Sequence, residues 1–355
     1  MSDIKFQQTL LKWYTRHKRP LPWREFSDPY PVWLSEIILQ QTRVQQGMNY
    51  WYKFMEYYPT VLHLAKAHED DVMKDWEGLG YYSRARNLHK GAKYIANDLD
   101  GVFPSTYKDI LKIPGVGPYT AAAISSFCFG EVQAVLDGNV FRVLARLYGI
   151  NTPINTGLGQ REFSDLANII IDKTQPGEYN QAIMEFGALQ CVPKNPDCAS
   201  CVFKEGCVAF KEGNVAMLPV KKKAKKEKDR YFNYVVFEEE GKVLLNKRND
   251  KDIWFGMFEF PMVELPGNAN EQVVVGELSE TFQISAEAFT LSKVLPNHKL
   301  SHQILHINVW KVSGFLPEQS KGYERVNIAD LHKYAMPRPL RKFVDDNQLP
   351  LPFGL

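Results

Sequence analysis

The sequence predicts an all-α domain over its first 218 or so residues and an α+β domain after it. Three observations carry that division. Apolar residues recur at helical spacing, with no strand-like alternation before about residue 231. Residues 221–230, KKKAKKEKDR, hold seven basic and two acidic side chains, the composition of a solvated linker that can also lie along a polyanion. Beyond it, Tyr231–Phe237 and Lys242–Asn246 alternate as strands around a Glu-Glu-Glu-Gly turn. The expected boundaries are 1–218 for the helical domain, 219–230 for the linker, 231–343 for the second domain and 344–355 for a flexible tail.

With 355 residues, 45% of them hydrophobic and 24% charged, the chain is long enough to bury two cores. There is no apolar run of membrane-spanning length, and the start MSDIKFQQTLLKWYTRHKRP reads as an amphipathic helix, not a signal peptide. A cytoplasmic or nucleoid-associated protein is expected. A formal charge of +2 confines any nucleic-acid surface to a local patch.

The first helix ends before Leu21-Pro22-Trp23-Arg24 and the breaker Asp28-Pro29-Tyr30-Pro31. Val32–Tyr58 then carries the strongest helical pattern, with Leu34, Ile37, Ile38 and Val44 as its apolar stripe. Glu36, Leu39 and Gln40 fall on one face of it. A carboxyl bordered by Ile and Leu is pushed toward the neutral form that a general acid needs; in isolation it reads instead as a solvent-facing Glu at a helix start, favoured by the macrodipole. Residues 64–100 read as two shorter helices joined at 76–86, where two glycines, two tyrosines and two arginines suit a loop approaching a nucleic-acid backbone, or half-buried packing tyrosines.

Leu111–Asn139 is the most informative stretch. Ile113-Pro114-Gly115-Val116-Gly117 reads as a tight helix-to-helix turn, in which Gly115 and Gly117 can take positive φ and turn N–H groups outward toward a phosphate. Asp137, in Leu136-Asp137-Gly138-Asn139, is a favoured helix N-cap and also a candidate for chemistry. Residues 141–190 are again helical. Cys191, Cys198, Cys201 and Cys207 follow, with gaps of six, two and five residues. Zinc sites favour two close pairs, whereas four thiolates in one compact loop suit an iron–sulfur cube. Cys128, between two phenylalanines, reads as an ordinary buried thiol.

A helix, a Gly-rich turn, a second helix, a following Asp and a Cys-x6-Cys-x2-Cys-x5-Cys loop, in this order, resemble the helix-hairpin-helix DNA glycosylases that carry a [4Fe-4S] cluster. Ser35-Glu36-Ile37-Ile38-Leu39-Gln40-Gln41-Thr42, a Tyr in the hairpin and a second domain after the cysteines resemble the adenine DNA glycosylases of the MutY type in particular. The resemblance implies DNA repair by removal of adenine opposite 8-oxoguanine or guanine, after the base is flipped from the duplex. It implies that Glu36 protonates adenine, that Asp137 stays ionised beneath the sugar, and that Tyr119 and Asn139 position them. Trp23, Arg24, Leu39 and Gln181 would line the pocket. Gln41 and Tyr81, with Thr42, would engage the duplex, Gly115, Val116 and Gly117 would hold phosphate, and Cys191, Cys198, Cys201 and Cys207 would bind the cluster.

Tyr119 stands where related endonuclease III enzymes carry a nucleophilic lysine, so the resemblance implies a monofunctional glycosylase. The rival reading is a bifunctional glycosylase and lyase acting on oxidised pyrimidines; a non-catalytic cluster protein is a third. The second domain resembles a Nudix fold, through Leu245-Asn246-Lys247-Arg248 and Ile253–Pro261, without the hydrolase's metal-binding box at Gly276–Thr281. Its Leu300-Ser301-His302 resembles the Phe-Ser-His loop that reads 8-oxoguanine, with the aromatic replaced. Gln348–Phe353 is similar to bacterial sliding-clamp motifs, although Pro352 displaces the Phe. A monomer is expected.

Overall fold

Helix α8 (Pro118–Phe129) lies deep in the helical unit, and its sequence explains why: Ala121, Ala122 and Ala123 are buried, so neighbouring backbones approach closely. The computed structural model describes residues 3–222, 227–249, 252–315 and 322–346. The helical unit also contains α1 (Asp3–His17), α2 (Pro29–Ile38), α3 (Val44–Tyr57), α4 (Val61–Lys66), α6 (Ser83–Asp98) from Arg86 on, α7 (Tyr107–Ile110), α9 (Gly138–Tyr148), α10 (Gly157–Ile170), α11 (Pro176–Leu189) and α12 (Val208–Lys211). Helix α5 (Glu69–Asp75) belongs to the other unit. Phe6, Leu10 and Trp13 of α1 join Val143 and Leu144 of α9 and Phe186 of α11 in one core.

The expected single helix over Val32–Tyr58 is two. Leu39 closes α2, and Gln41 takes φ of +58°, a left-handed backbone that no α-helix continues through. Gln40 therefore lies beyond the helix whose face it was expected to share with Glu36.

The chain divides into Met1–Ala67 with Arg86–Lys223, and His68–Ala85 with Ala224–Leu355. This differs from the linear division expected at 219–230. Most of that stretch is not a free linker: Ile154 N donates to Val220 O, Asn155 and Lys222 exchange two hydrogen bonds, and strand β1 already starts at Lys228.

The second unit is a mixed eight-stranded sheet. Its strands are β1 (Lys228–Glu239), β2 (Lys242–Lys247), β3 (Phe258–Glu259), β4 (Met262–Leu265), β5 (Thr290–Val294), β6 (His298–Lys299), β7 (Gln303–Ser313) and β8 (Tyr323–Asn327). β1 pairs parallel with β7, placing Tyr234 opposite Val309, and antiparallel with β2 through Glu240-Gly241, both at positive φ. Period-two alternation sends Phe232, Tyr234 and Val236 to one face and Val235 and Phe237 to the other. Helix α14 (Arg338–Asp346) covers the first face with Leu340 and Phe343, and α13 (Glu271–Phe282) covers the second with Val274 and Leu278. Two covered faces leave Phe232–Phe237 buried without a break, with Asn233 as the one polar residue among them. α14 extends into the stretch expected as a tail; Gln348–Phe353 lies outside the described residues.

Candidate active site

Helix α2 is capped by Asp28, which accepts from Tyr30 N, and started by two prolines; nine of its ten residues are buried. Glu36 is one of these, 7% exposed, at the edge of a cavity of about 1230 Å³ in the helical unit. The Tyr119 hydroxyl donates to Glu36 Oε2 at 2.6 Å. Burial pushes the Glu36 carboxyl from 4.5 up to about 7; the Tyr119 hydrogen bond pulls down and nearby Asp137 pushes up.

Asp137 is both things its sequence context allowed. It caps α9, accepting at Oδ1 from Asn139 N and Val140 N at 2.8 and 2.7 Å, and it lines the cavity. Asn139 Nδ2 donates to Asp137 Oδ2 at 2.7 Å. Burial raises this carboxyl as well, against the pull of those donors and of Arg142. Arg142 was not foreseen. It donates to Asn139 Oδ1 at 2.9 Å and to Gly187 O at 2.6 Å, fixing Asn139 between α9 and α11. Gly187 makes that crossing possible, because a Cβ there would stand 2.6 Å from Asn139 Cβ and 3.0 Å from its carbonyl oxygen.

The two hairpin glycines differ. Gly115 has φ of +81°, and a Cβ would meet Asn87 Cβ at 2.4 Å. Gly117, expected in the same conformation, is extended at φ −98° and ψ 177°, with open space where a Cβ would go. Val116 is buried, and its N–H donates to Ile113 O.

Trp23, Arg24, Leu39, Gln41, Thr42 and Gln181 line the same cavity. Trp23 serves core and cavity together, at 6% exposure. Arg24 is already engaged: it and Arg19 both pair with buried Glu185, at 2.9 and 2.8 Å, and hold that carboxyl at about 2. Glu185 and Arg19 are cavity residues that sequence reasoning missed; the signal was a lone Glu between Met184 and Phe186 in an otherwise apolar turn. Gln181 accepts from the Tyr14 hydroxyl at 2.9 Å.

Tyr81, Ser301 and His302 do not line the cavity; they lie in the sheet-based unit, where the hydroxyls of Tyr81 and Ser301 are 3.1 Å apart. Leu300 packs partly on that unit's core, and its N–H donates to Gln303 O to close the turn. His302 is exposed.

The four loop cysteines surround one cavity of the helical unit, beside Arg146. Among the described residues no group of three or more His, Cys, Asp or Glu side chains is arranged to hold a metal ion. The donor chemistry fits a thiolate-bound group: Arg146 Nη1 and Phe203 N point at Cys191 Sγ and Cys201 Sγ, each at 3.4 Å. Cys128 is half-buried, its thiol pushed up to about 12 by burial.

No helix among the described residues is long and apolar enough to cross a membrane. Residues 34–168 match the family model of HhH-GPD superfamily base excision DNA repair proteins, and residues 233–346 match a NUDIX domain. The chain is 32% identical over 351 residues to the adenine DNA glycosylase of Buchnera aphidicola subsp. Schizaphis graminum, covering 97% of this chain and 99% of that protein. It is 41% identical over 213 residues to the human adenine DNA glycosylase, covering 58% of this chain and 39% of that one. Among solved structures, a thermostable thymine-DNA glycosylase superposes with a TM-score of 0.55 at 29% identity, over 59% of this chain and 97% of that one.

Proposed function

Since the chain belongs to the adenine DNA glycosylases, enzymes that hydrolyse N-glycosidic bonds, we propose that it removes adenine lying opposite 8-oxoguanine or guanine and leaves the DNA strand uncut. The observation that carries this reading is the unequal pair of carboxyls at one cavity. Glu36 is buried, and burial raises its carboxyl to about 7, so a substantial fraction of the molecules carries the proton at neutral pH and can donate it. Burial raises Asp137 too, but three N–H donors and Arg142 work against it and favour its ionised form.

Adenine flipped into the cavity takes the Glu36 proton at a ring nitrogen, which turns the base into a neutral leaving group. Positive charge then grows on the sugar, where the Asp137 carboxylate stabilises it until water adds. Tyr119 and Asn139 keep the two carboxyls in place. A tyrosine hydroxyl forms no Schiff base with the opened sugar, which argues for glycosylase action without lyase action.

Cys191, Cys198, Cys201 and Cys207 would hold a [4Fe-4S] cluster, supplying a fixed loop and no step of the hydrolysis. Gly115 at the hairpin would meet a phosphate, and Ser301 and His302 would read the base opposite adenine. The test is single-turnover reaction of a duplex with adenine opposite 8-oxoguanine, resolved with and without alkali. Product seen only after alkali, and lost in Glu36→Gln, supports the reading; strand breaks without alkali, or untouched adenine, refute it.

A further inference from the structure

Residues His68–Ala85 lie in sequence between two stretches of the helical unit, yet they belong to the unit built on the sheet. Three side-chain contacts fasten them there. Lys247 Nζ pairs with Asp70 Oδ1 at 2.6 Å, Arg341 Nε donates to Glu77 Oε1 at 2.7 Å, and Tyr81 shares a hydrogen bond with Ser301. The Glu77 contact is the firmest. Both partners are largely shielded, at 19% and 15% exposure, whereas Asp70 and Lys247 are each about one-third exposed. Arg341 is no loose surface cation, because its Nη2 also donates to Leu331 O at 3.1 Å and Tyr334 O at 2.5 Å.

From Glu77 the chain reaches Tyr81 through a stiff turn. Gly78, Gly80 and Tyr81 all have positive φ, at +100°, +72° and +49°. Buried Trp76 donates its ring N–H to Gly80 O, and Arg84 donates to the carbonyls of Leu79 and Gly80. A left-handed tyrosine persists only where its surroundings hold it. Glu77 and Tyr81 are thereby the two ends of one internally hydrogen-bonded turn.

We propose that the Glu77–Arg341 pair is a specificity-determining positioning device: it fixes the ring that enters the duplex relative to Ser301, the hydroxyl that meets the base opposite adenine. This rests on the reading given above for Tyr81 and Ser301. Glu77 touches neither DNA nor the cavity in that scheme, so its effect falls on discrimination.

The experiment measures single-turnover adenine release by the full chain from duplexes carrying 8-oxoguanine or guanine opposite adenine. In Glu77→Ala the ratio of the two rates falls about fivefold to tenfold, the loss of a shielded charge-assisted hydrogen bond, through slowing on the 8-oxoguanine duplex. The guanine duplex keeps its rate within about twofold. Glu77→Gln, which retains an acceptor for Arg341 Nε, restores most of the ratio. Equal slowing on both duplexes, or an unchanged ratio, overturns the proposal and leaves the pair a merely structural role. Unsubstituted protein that releases no adenine, or shows no preference, overturns the underlying reading itself and is recognised without any variant.

Discussion

Replacing Glu36 by Gln should abolish base release and, at alkaline pH, make the protein more stable. The sign follows from the burial of this carboxyl, which titrates at about 7 in the folded chain against an ordinary value of 4.5. Below 4.5 both folded and unfolded chains hold the proton, and the full stability is present. Between 4.5 and 7 the unfolded chain ionises first, so stability falls as pH rises; above 7 the whole cost stands. At 1.36 kcal/mol per pH unit that cost is about 3 kcal/mol, a ceiling because Glu36 opens on a wide cavity. Glutamine keeps an oxygen for the Tyr119 hydroxyl and never ionises. Urea unfolding of both proteins at pH 8 and at pH 5 reads the effect, with Asp137 the carboxyl whose titration is coupled to that of Glu36. The variant should gain about 1–3 kcal/mol at pH 8 and most of that gain should vanish by pH 5. A variant less stable at pH 8, or a difference independent of pH, would refute the argument.

Tyr119→Phe removes the hydrogen bond that pulls Glu36 down, so the falling limb of the rate–pH profile should move to higher pH by about one unit. A limb displaced toward acid would exclude Tyr119 as the donor. Gly187→Ala must push α11 away from α9 at Asn139; a cost of about 1–3 kcal/mol in thermal unfolding and at least a roughly tenfold slower base release are expected. Gly115→Ala should weaken duplex binding and cost about 1 kcal/mol or more, while Gly117→Ala should bind as the parent does, in titrations at one fixed salt concentration. Cys201→Ser should lower iron per chain and visible absorbance together with the stability of the helical unit, and unchanged iron would remove Cys201 from the ligand set.

Helical and strand periodicity made the order of elements legible, because one buried face per element leaves a direct mark on the sequence. Asp137 was legible as an N-cap from its neighbours, and the structure shows that the cap and the cavity wall are one residue. The break at Gln41 was not legible: a polar residue at φ of +58° carries no sequence signal, and the apolar stripe runs across it. Gly115 and Gly117 look alike in sequence, but only the packing of Asn87 and the turn's dihedral angles tell them apart. Arg19 and Glu185 escaped for the same reason, since they pair across 166 positions of the chain, and the Arg142 bond to Asn139 gains its meaning only from the second one to Gly187, 45 positions away. The membership of His68–Ala85 in the sheet-based unit is likewise a matter of long-range contacts, two ion pairs and a hydroxyl–hydroxyl hydrogen bond among them.

That membership bears on how the protein can be dissected. A truncation after residue 222 removes the sheet but leaves His68–Ala85 behind, stripped of the Lys247, Arg341 and Ser301 contacts that hold it. Activity lost by such a fragment would mix two causes, a missing reader of the opposite base and a Tyr81 turn released from its mooring. The shortened chain is a different molecule, and comparing it with point variants at Glu77 and Ser301 in the intact chain separates the two.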